Sequence, residues 1–154
     1  MEVYKMLRDF IYHNPGVIAW RLKRHAEVIE KHLNPGEEIE YIFAGQRTMS
    51  FLDIFSTCVV AITNKRLLIA QKRLLPGYTL ISVTPDMYND LTARQGIIWG
   101  IIQIETVKEL IVISKLSKKA LQEVETKITE YMIREKKKYM KNDEEDSLEE
   151  KENI

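Results

Sequence analysis

Cysteine is almost absent from the 154-residue chain, because Cys58 is the only one. A single cysteine excludes an intrachain disulfide and any zinc site that is built from several cysteines. Long apolar runs are missing as well: the longest patches, 59–62 and 97–102, are far shorter than the roughly 20 residues that a membrane-spanning helix needs. The first residues lack the apolar run of a signal peptide. The sequence therefore predicts a soluble, cytoplasmic protein.

Net charge is missing too, because 23 Lys and Arg residues balance 23 Asp and Glu residues. This balance excludes a globally basic nucleic-acid binder. The charges are nevertheless uneven along the chain: residues 143–154 carry seven carboxylates and one lysine, whereas residues 117–142 carry eight basic and four acidic residues. Residues 34–116 hold eight of each sign, so we expect charge to indicate little about a ligand of that segment.

Catalytic motifs are the third absence. The sequence contains no nucleophile elbow, Walker A loop, dinucleotide-binding glycine pattern or HExxH motif. The three histidines, His13, His25 and His32, lack the further ligands that a metal site would need, and we interpret them as surface or packing residues. Cys58 lies in an apolar segment, where a cysteine usually behaves as a small buried hydrophobe. We therefore expect no enzyme activity, no metal and no cofactor.

The patterns that are present predict helices at both ends of the chain and strands between them. Apolar residues in 2–13 recur at helical spacing, and a second helix is predicted from Asn14-Pro15-Gly16 to about Leu33. Alternation and β-branched runs then predict seven strands, at 38–46, 55–63, 66–71, 78–84, 90–95, 97–106 and 108–113. A last amphipathic helix is predicted over 117–138, with Ser117 as its N-cap.

This order of elements predicts an α+β fold that is mainly β. About seven short strands joined by short turns predict an antiparallel barrel or sandwich. The C-terminal helix needs a hydrophobic surface for its single apolar face, and the open end of a small barrel would provide one. We divide the chain into an N-terminal helical extension (1–33), a barrel domain (34–138) and a charged tail (139–154). The tail has almost no apolar residues, so we expect it to be disordered.

Two segments resemble motifs of the bacterial pleckstrin-homology (PH) domain family. Residues 61–69 (AITNKRLLI) resemble its T-x-K/N-R-L-apolar hairpin, and residues 94–106 (RQGIIWGIIQIET) resemble its Q-G-apolar-apolar-W/F-G segment. On these residues the chain is similar to the YokE-like branch over roughly 34–133. The resemblance implies a PH-like barrel of about seven antiparallel strands capped by a C-terminal helix, a non-enzymatic binding role and assembly into a homo-oligomer.

Two sets of residues are candidates for binding. An apolar loop between the first two strands could contact another protein or pack on the chain's own helices; it contains Met49, Phe51, Leu52, Ile54 and Phe55. A basic set could contact an anion or lipid headgroup, or form a solvated hairpin end; it contains Arg47, Lys65, Arg66, Lys72 and Arg73. Phosphoinositide recognition of the eukaryotic PH type is not favoured, because the first loop offers a single arginine and includes Asp53.

The sequence therefore predicts a binding or scaffold module that acts through protein–protein contacts and self-associates. The alternative is peripheral binding to anionic membrane lipid through the basic residues of the second hairpin and of the C-terminal helix. Nucleic acid is not an expected partner, because the acidic tail would compete for the lysines of 134–141. A small-molecule site inside the barrel is not favoured either, since bulky strand residues predict a filled core.

Overall fold

The fold is taken from a computed structural model that describes residues 2–47 and 55–152, with side chains for 2–47 and 55–144. Its helices are α1 (Glu2–His13), α2 (Leu22–His32) and α3 (Lys118–Glu152), with one 3₁₀ turn at Pro85–Met87. Its strands are β1 (Ile39–Gln46), β2 (Thr57–Thr63), β3 (Leu67–Lys72), β4 (Tyr78–Val83), β5 (Tyr88–Gln95), β6 (Gly100–Thr106) and β7 (Leu110–Leu116).

The seven strands form one antiparallel sheet in the order β4-β3-β2-β1-β7-β6-β5. Together with the long C-terminal helix this confirms the predicted PH-like arrangement. The strand bounds differ from the prediction by one to three residues, and the largest differences are that β6 begins at Gly100 rather than at 97 and that β7 continues to Leu116 rather than ending at 113. The first difference arises because Gly96 N–H donates to Trp99 O over 2.9 Å, which places Ile97 and Ile98 in a turn.

A bulge near the end of β7 joins the two halves of the sheet. The register between β6 and β7 shifts between the pairs Gly100–Leu116 and Ile102–Ile113. Within the shift, Lys115 adopts a left-handed backbone with φ of 57°, and Ser114 pairs with Gln46 of β1. An extra residue in one strand sharpens the local twist. The bulge thereby allows β7 to pair with β6 and then to reach β1.

The two N-terminal helices pack on β1, β2 and β3 of the same chain. Their apolar faces bury Val3, Leu7 and Phe10 of α1 and Ala26, Val28 and Ile29 of α2. Every residue of β2 is buried in consequence, as predicted from its uninterrupted run of β-branched and apolar residues.

The prediction that a second helix starts at Asn14-Pro15-Gly16 is wrong, because α2 begins only at Leu22. After a local bond from Val17 N–H to Asn14 O, the segment 17–20 (the linker) makes hydrogen bonds with the sheet. Ile18 N–H donates to Lys115 O over 3.4 Å, and Trp20 N–H donates to Thr57 Oγ1 over 3.0 Å. The side-chain amide of Gln46 donates to Ile18 O over 3.0 Å. Tertiary partners therefore replace the helical hydrogen bonds that the local pattern favours.

Helix α3 begins as predicted and ends later. Ala120 N–H donates to Ser117 Oγ over 3.2 Å, which confirms the N-cap, and the predicted apolar face is buried against the sheet. The helix does not stop at 138 but continues to Glu152, so it includes most of the tail that we expected to be disordered. Residues 118–152 contain no proline or glycine, and their many Glu and Lys residues favour helix.

Candidate functional site

Arg66, a predicted anion contact, is held inside the fold by an ion pair with Glu37. Its Nε and Nη2 donate to the two oxygens of the Glu37 carboxylate over 2.9 and 3.0 Å. Nη2 also donates to His32 O over 2.9 Å, and Nη1 donates to Ser82 Oγ over 3.1 Å. All three guanidinium nitrogens are therefore used to join α2 to the sheet. Its neighbour Lys65 donates from Nζ to Pro35 O over 3.2 Å.

Glu37 is ionised in this pair. Burial on its own would raise the pKa of Glu37, but hydrogen bonds from Arg66, from Asn34 N–H and from Thr63 Oγ1 lower the pKa to about 2. The Asn34 and Thr63 bonds measure 2.9 and 2.8 Å. The carboxylate accepts hydrogen bonds on both oxygens, so the geometry assigns the Glu37–Arg66 pair to the cohesion of the fold.

Lys72 and Arg73 lie at the opposite end of β3 from Arg66. A strand advances about 3.3 Å per residue, so the two ends of β3 are roughly 20 Å apart. The structure therefore does not bring the five predicted basic residues together. Arg47 follows the end of β1, and its N–H donates to Ser56 O over 2.9 Å at the start of β2.

A cluster of exposed apolar side chains lies where the linker, the start of β2 and the β3–β4 turn meet. The rings of Trp20 and Phe55 pack edge to face with centroids 5.1 Å apart, and Gln71 Nε2 donates to Phe55 O over 3.3 Å. The four large side chains of this cluster are between 41 % and 77 % exposed. We call this surface the rim, and it consists of Trp20, Phe55, Leu74 and Leu75.

Phe55, the described residue of the predicted apolar loop, lies in the rim. Phe55 belongs to the described part of the chain and is exposed, in contact with Trp20. The other four predicted interface residues, Met49, Phe51, Leu52 and Ile54, lie outside the described residues. Trp20, Leu74 and Leu75 were missed by sequence reasoning. The sequence did contain a signal for Leu74 and Leu75. Two leucines stand directly before Pro76-Gly77 in a turn, where polar residues and glycine are favoured, and such exposed leucines indicate a contact surface.

The described segments that form the rim are rich in positive charge, whereas Glu27 follows one of them in α2 and Asp53 belongs to the loop outside the described residues. Residues 17–26, 44–47, 55–59 and 70–80 contain no carboxylate. They contain six cationic side chains: Arg21, Lys23, Arg24, Arg47, Lys72 and Arg73. The Arg21 guanidinium lies 5.5 Å from the centroid of the Trp20 ring and donates from Nη1 to Arg73 O over 3.4 Å. Three of the five predicted basic residues thus accompany the rim.

Two reactive residue types close to the rim are buried. His25 accepts a hydrogen bond at Nδ1 from Lys72 N–H over 2.8 Å; burial and the neighbouring Arg21 charge lower its pKa to about 4. Burial raises the pKa of the Cys58 thiol to about 12. Both are therefore neutral packing residues at pH 7. Within the described residues no three His, Cys, Asp or Glu side chains are grouped so that they could hold a metal ion.

The structure is a capped antiparallel barrel with a cationic, apolar rim. None of the helices in the described part of the chain is long and apolar enough to cross a membrane. A family model described as "Bacterial PH domain" matches residues 33–130, which include all seven strands and the first part of α3. Neither the curated proteins nor the solved structures contain a match. The chain belongs to the bacterial PH domain family.

Proposed function

We propose that the protein is a non-enzymatic, cytoplasmic binding module that attaches to an anionic membrane surface through the rim. The observation that carries this proposal is the coincidence of four exposed apolar side chains with six cations in the described segments that form the rim. Within the family we place the chain in the YokE-like branch, on the strength of residues 94–106.

Both the basic residues and the exposed apolar side chains of the rim favour a lipid surface. Each basic residue near an anionic membrane contributes about 1 kcal/mol at short range. Exposed apolar side chains add the transfer of their surface out of water, about 25 cal/mol per Å². A single component gives marginal attachment, whereas an apolar anchor next to a basic cluster supplies the two signals that stable peripheral binding requires.

Self-association through the rim is a second candidate, because exposed apolar patches such as that around Phe55 also mark protein interfaces. A two-fold contact, however, places the same surface of each subunit against itself. Six cations on one rim would then face six on the other, and these cations outnumber Glu27, the carboxylate one helical turn from Lys23 in α2. Charge therefore favours an anionic partner over a second copy of the rim.

Vesicle co-sedimentation tests the proposal with two matched charge reversals. Arg73→Glu changes the rim, and Lys108→Glu makes the same change in net charge at the exposed β6–β7 turn. We expect the full chain to bind phosphatidylcholine vesicles that contain phosphatidylserine, to bind pure phosphatidylcholine weakly, and to lose binding as salt rises. Arg73→Glu should weaken binding several-fold, whereas Lys108→Glu should leave it nearly unchanged.

Light scattering after size-exclusion chromatography separates the two candidates. A monomer that binds anionic vesicles supports membrane attachment. A dimer that Phe55→Asp dissociates, together with equal sedimentation on both vesicle types, would contradict membrane attachment and support self-association.

A further inference from the structure

The turn between β5 and β6 exposes two isoleucines at its outermost positions. Gln95 pairs with Gly100, and Gly96 N–H donates to Trp99 O, so residues 96–99 (the hairpin tip) form a four-residue turn. Ile97 and Ile98 occupy its two central positions and are 94 % and 61 % exposed. Such positions ordinarily hold Gly, Asn, Asp or Ser, whose backbone or side chain suits a turn. This isoleucine pair buries little surface within its own chain.

The base of the hairpin tip is fixed against the rest of the domain. A Cβ atom added to Gly100 would lie 2.6 Å from Leu121 Cδ2, so the backbone there is already in close contact with α3. An open cavity of about 290 Å³ lies beside the tip and is lined by the tip residues together with Ile101, Ser114 and Lys115. The exposed isoleucines therefore project from a hairpin whose base packs on α3.

The surroundings of the hairpin tip are cationic, like those of the rim. Residues 91–104 and 111–122 contain no carboxylate. They contain four cationic residues, of which Arg94, Lys118 and Lys119 are exposed and Lys115 is buried. This charge selects an anionic partner. A convex apolar turn that ends in a tryptophan suits the membrane interface, because lipids adapt to its shape and aromatic rings are favoured there. A protein partner would need a groove that matches the turn.

The hairpin tip is adjacent to the rim through the linker. Lys115, which lines the cavity beside the tip, accepts at its backbone oxygen a hydrogen bond from Ile18 N–H over 3.4 Å. Ile18 stands two residues before Trp20 of the rim. We infer that the hairpin tip is a second insertion point, which buries Ile97 and Ile98 in the same anionic leaflet that the rim contacts. This inference rests on the proposed function.

The two tryptophans of the chain report on the two surfaces separately, because Trp20 lies in the rim and Trp99 in the hairpin tip. The variants Trp99→Phe and Trp20→Phe each leave one of them. The probe is a vesicle of phosphatidylcholine and phosphatidylserine in which part of the phosphatidylcholine carries brominated acyl chains that quench tryptophan fluorescence on contact. We expect quenching in both variants, with none when the vesicles lack phosphatidylserine.

A pair of exposed-site variants measures the contribution of the isoleucines. Ile97→Ser combined with Ile98→Ser removes two apolar side chains from the hairpin tip, and Val107→Ser removes one exposed apolar side chain at the opposite end of β6. Partial transfer of two isoleucines into lipid corresponds to about a tenfold change in affinity. We expect the tip variant to bind the phosphatidylserine vesicles about tenfold more weakly, and Val107→Ser to bind like the wild type, with unchanged unfolding midpoints for both.

The outcomes distinguish the two proposals. Quenching of Trp20 without quenching of Trp99, with normal binding by the tip variant, overturns the inference and leaves the proposed function standing. No quenching of either tryptophan and no sedimentation with anionic vesicles overturns both. A dimer in solution that the tip variant dissociates would identify the hairpin tip as a contact between copies of the chain and would also overturn the inference.

Discussion

Replacing Glu37 by glutamine tests whether Arg66 is a structural cation rather than a lipid contact. The Glu37 side chain has no exposed surface, and that of Arg66 is 17 % exposed. Removing one partner of a buried ion pair typically costs about 3–5 kcal/mol, because the other charge stays buried without compensation. Glutamine keeps the shape of the side chain and one acceptor oxygen. We therefore expect Glu37→Gln to lower the free energy of unfolding by about 3 kcal/mol at pH 7.

The pKa of Glu37 gives a second route to the same magnitude. The pKa falls from an ordinary value of 4.5 to about 2 on folding, which at about 1.4 kcal/mol per pKa unit corresponds to about 3 kcal/mol. Because the folded state binds the proton less tightly, this stabilisation is complete above pH 4.5 and is lost as the pH falls from 4.5 towards 2. At pH 3 about 2 kcal/mol of it should be gone.

Urea denaturation of the wild type and of Glu37→Gln at several pH values between 7 and 3 checks both figures. The difference in unfolding free energy should be largest at pH 7 and should shrink below pH 4.5. Glu40→Gln is the matched control, because its partner Arg134 is half-exposed and such surface pairs contribute less than about 1 kcal/mol. Equal stability of Glu37→Gln and wild type at pH 7, or a difference that stays constant with pH, would refute the structural role of this pair.

Three further predictions concern other parts of the fold. Burial and the Arg21 charge lower the pKa of His25 from 6.5 to about 4, so the wild type should lose about 2 kcal/mol of stability between pH 7 and pH 5, and His25→Gln should show less of this loss in denaturation curves. Gly100→Ala should cost about 1–3 kcal/mol in the same assay, because the added methyl group would overlap Leu121. Deleting residues 143–154, with their seven carboxylates, should raise retention on heparin at low salt by unmasking the lysines of 134–141, with little change in vesicle binding.

The elements that could be predicted from the sequence are those whose stability is visible in a local pattern. The apolar faces of α1 and α3, the Ser117 cap and the alternation of the strands each follow from side chains a few residues apart. The linker could not be predicted in this way. Its backbone bonds to Thr57 and Lys115, which are far away in the sequence, and those partners override the helical preference of the residues around Trp20.

The candidate site could be predicted only in part, because it is assembled from distant segments. Arg66 and Lys72 are close in the sequence, but the length of β3 separates them. The Arg66 side chain bonds to Glu37, whereas the backbone N–H of Lys72 bonds to His25. Trp20 and Phe55, by contrast, come together across 35 positions because the linker bonds to the start of β2. A useful local signal was the occurrence of large apolar residues in turns, at Leu74 and Leu75 and at Ile97 and Ile98.

The spatial separation of charge makes the proposed membrane attachment compatible with a chain that has no net charge. The barrel has equal numbers of both signs, but several of its carboxylates, including Glu37, Glu38, Glu40, Asp86 and Asp90, lie before or at the start of β1 and β5. Arg134 of α3 pairs with Glu40, so this part of α3 lies at the same side as the start of β1. Gln46, at the rim end of β1, lies roughly 20 Å from Glu40.

The distance of roughly 20 Å between Gln46 and Glu40 along β1 exceeds two Debye lengths, each about 8 Å at physiological ionic strength. Carboxylates at the far side of the barrel are therefore screened from a membrane that contacts the rim, while the six cations of the rim lie within reach of its headgroups. In the proposed attachment, local charge decides the attraction. Lower salt lengthens the screening distance and lets those carboxylates oppose binding, so the affinity for anionic vesicles should rise less steeply below physiological salt than six cations alone would give.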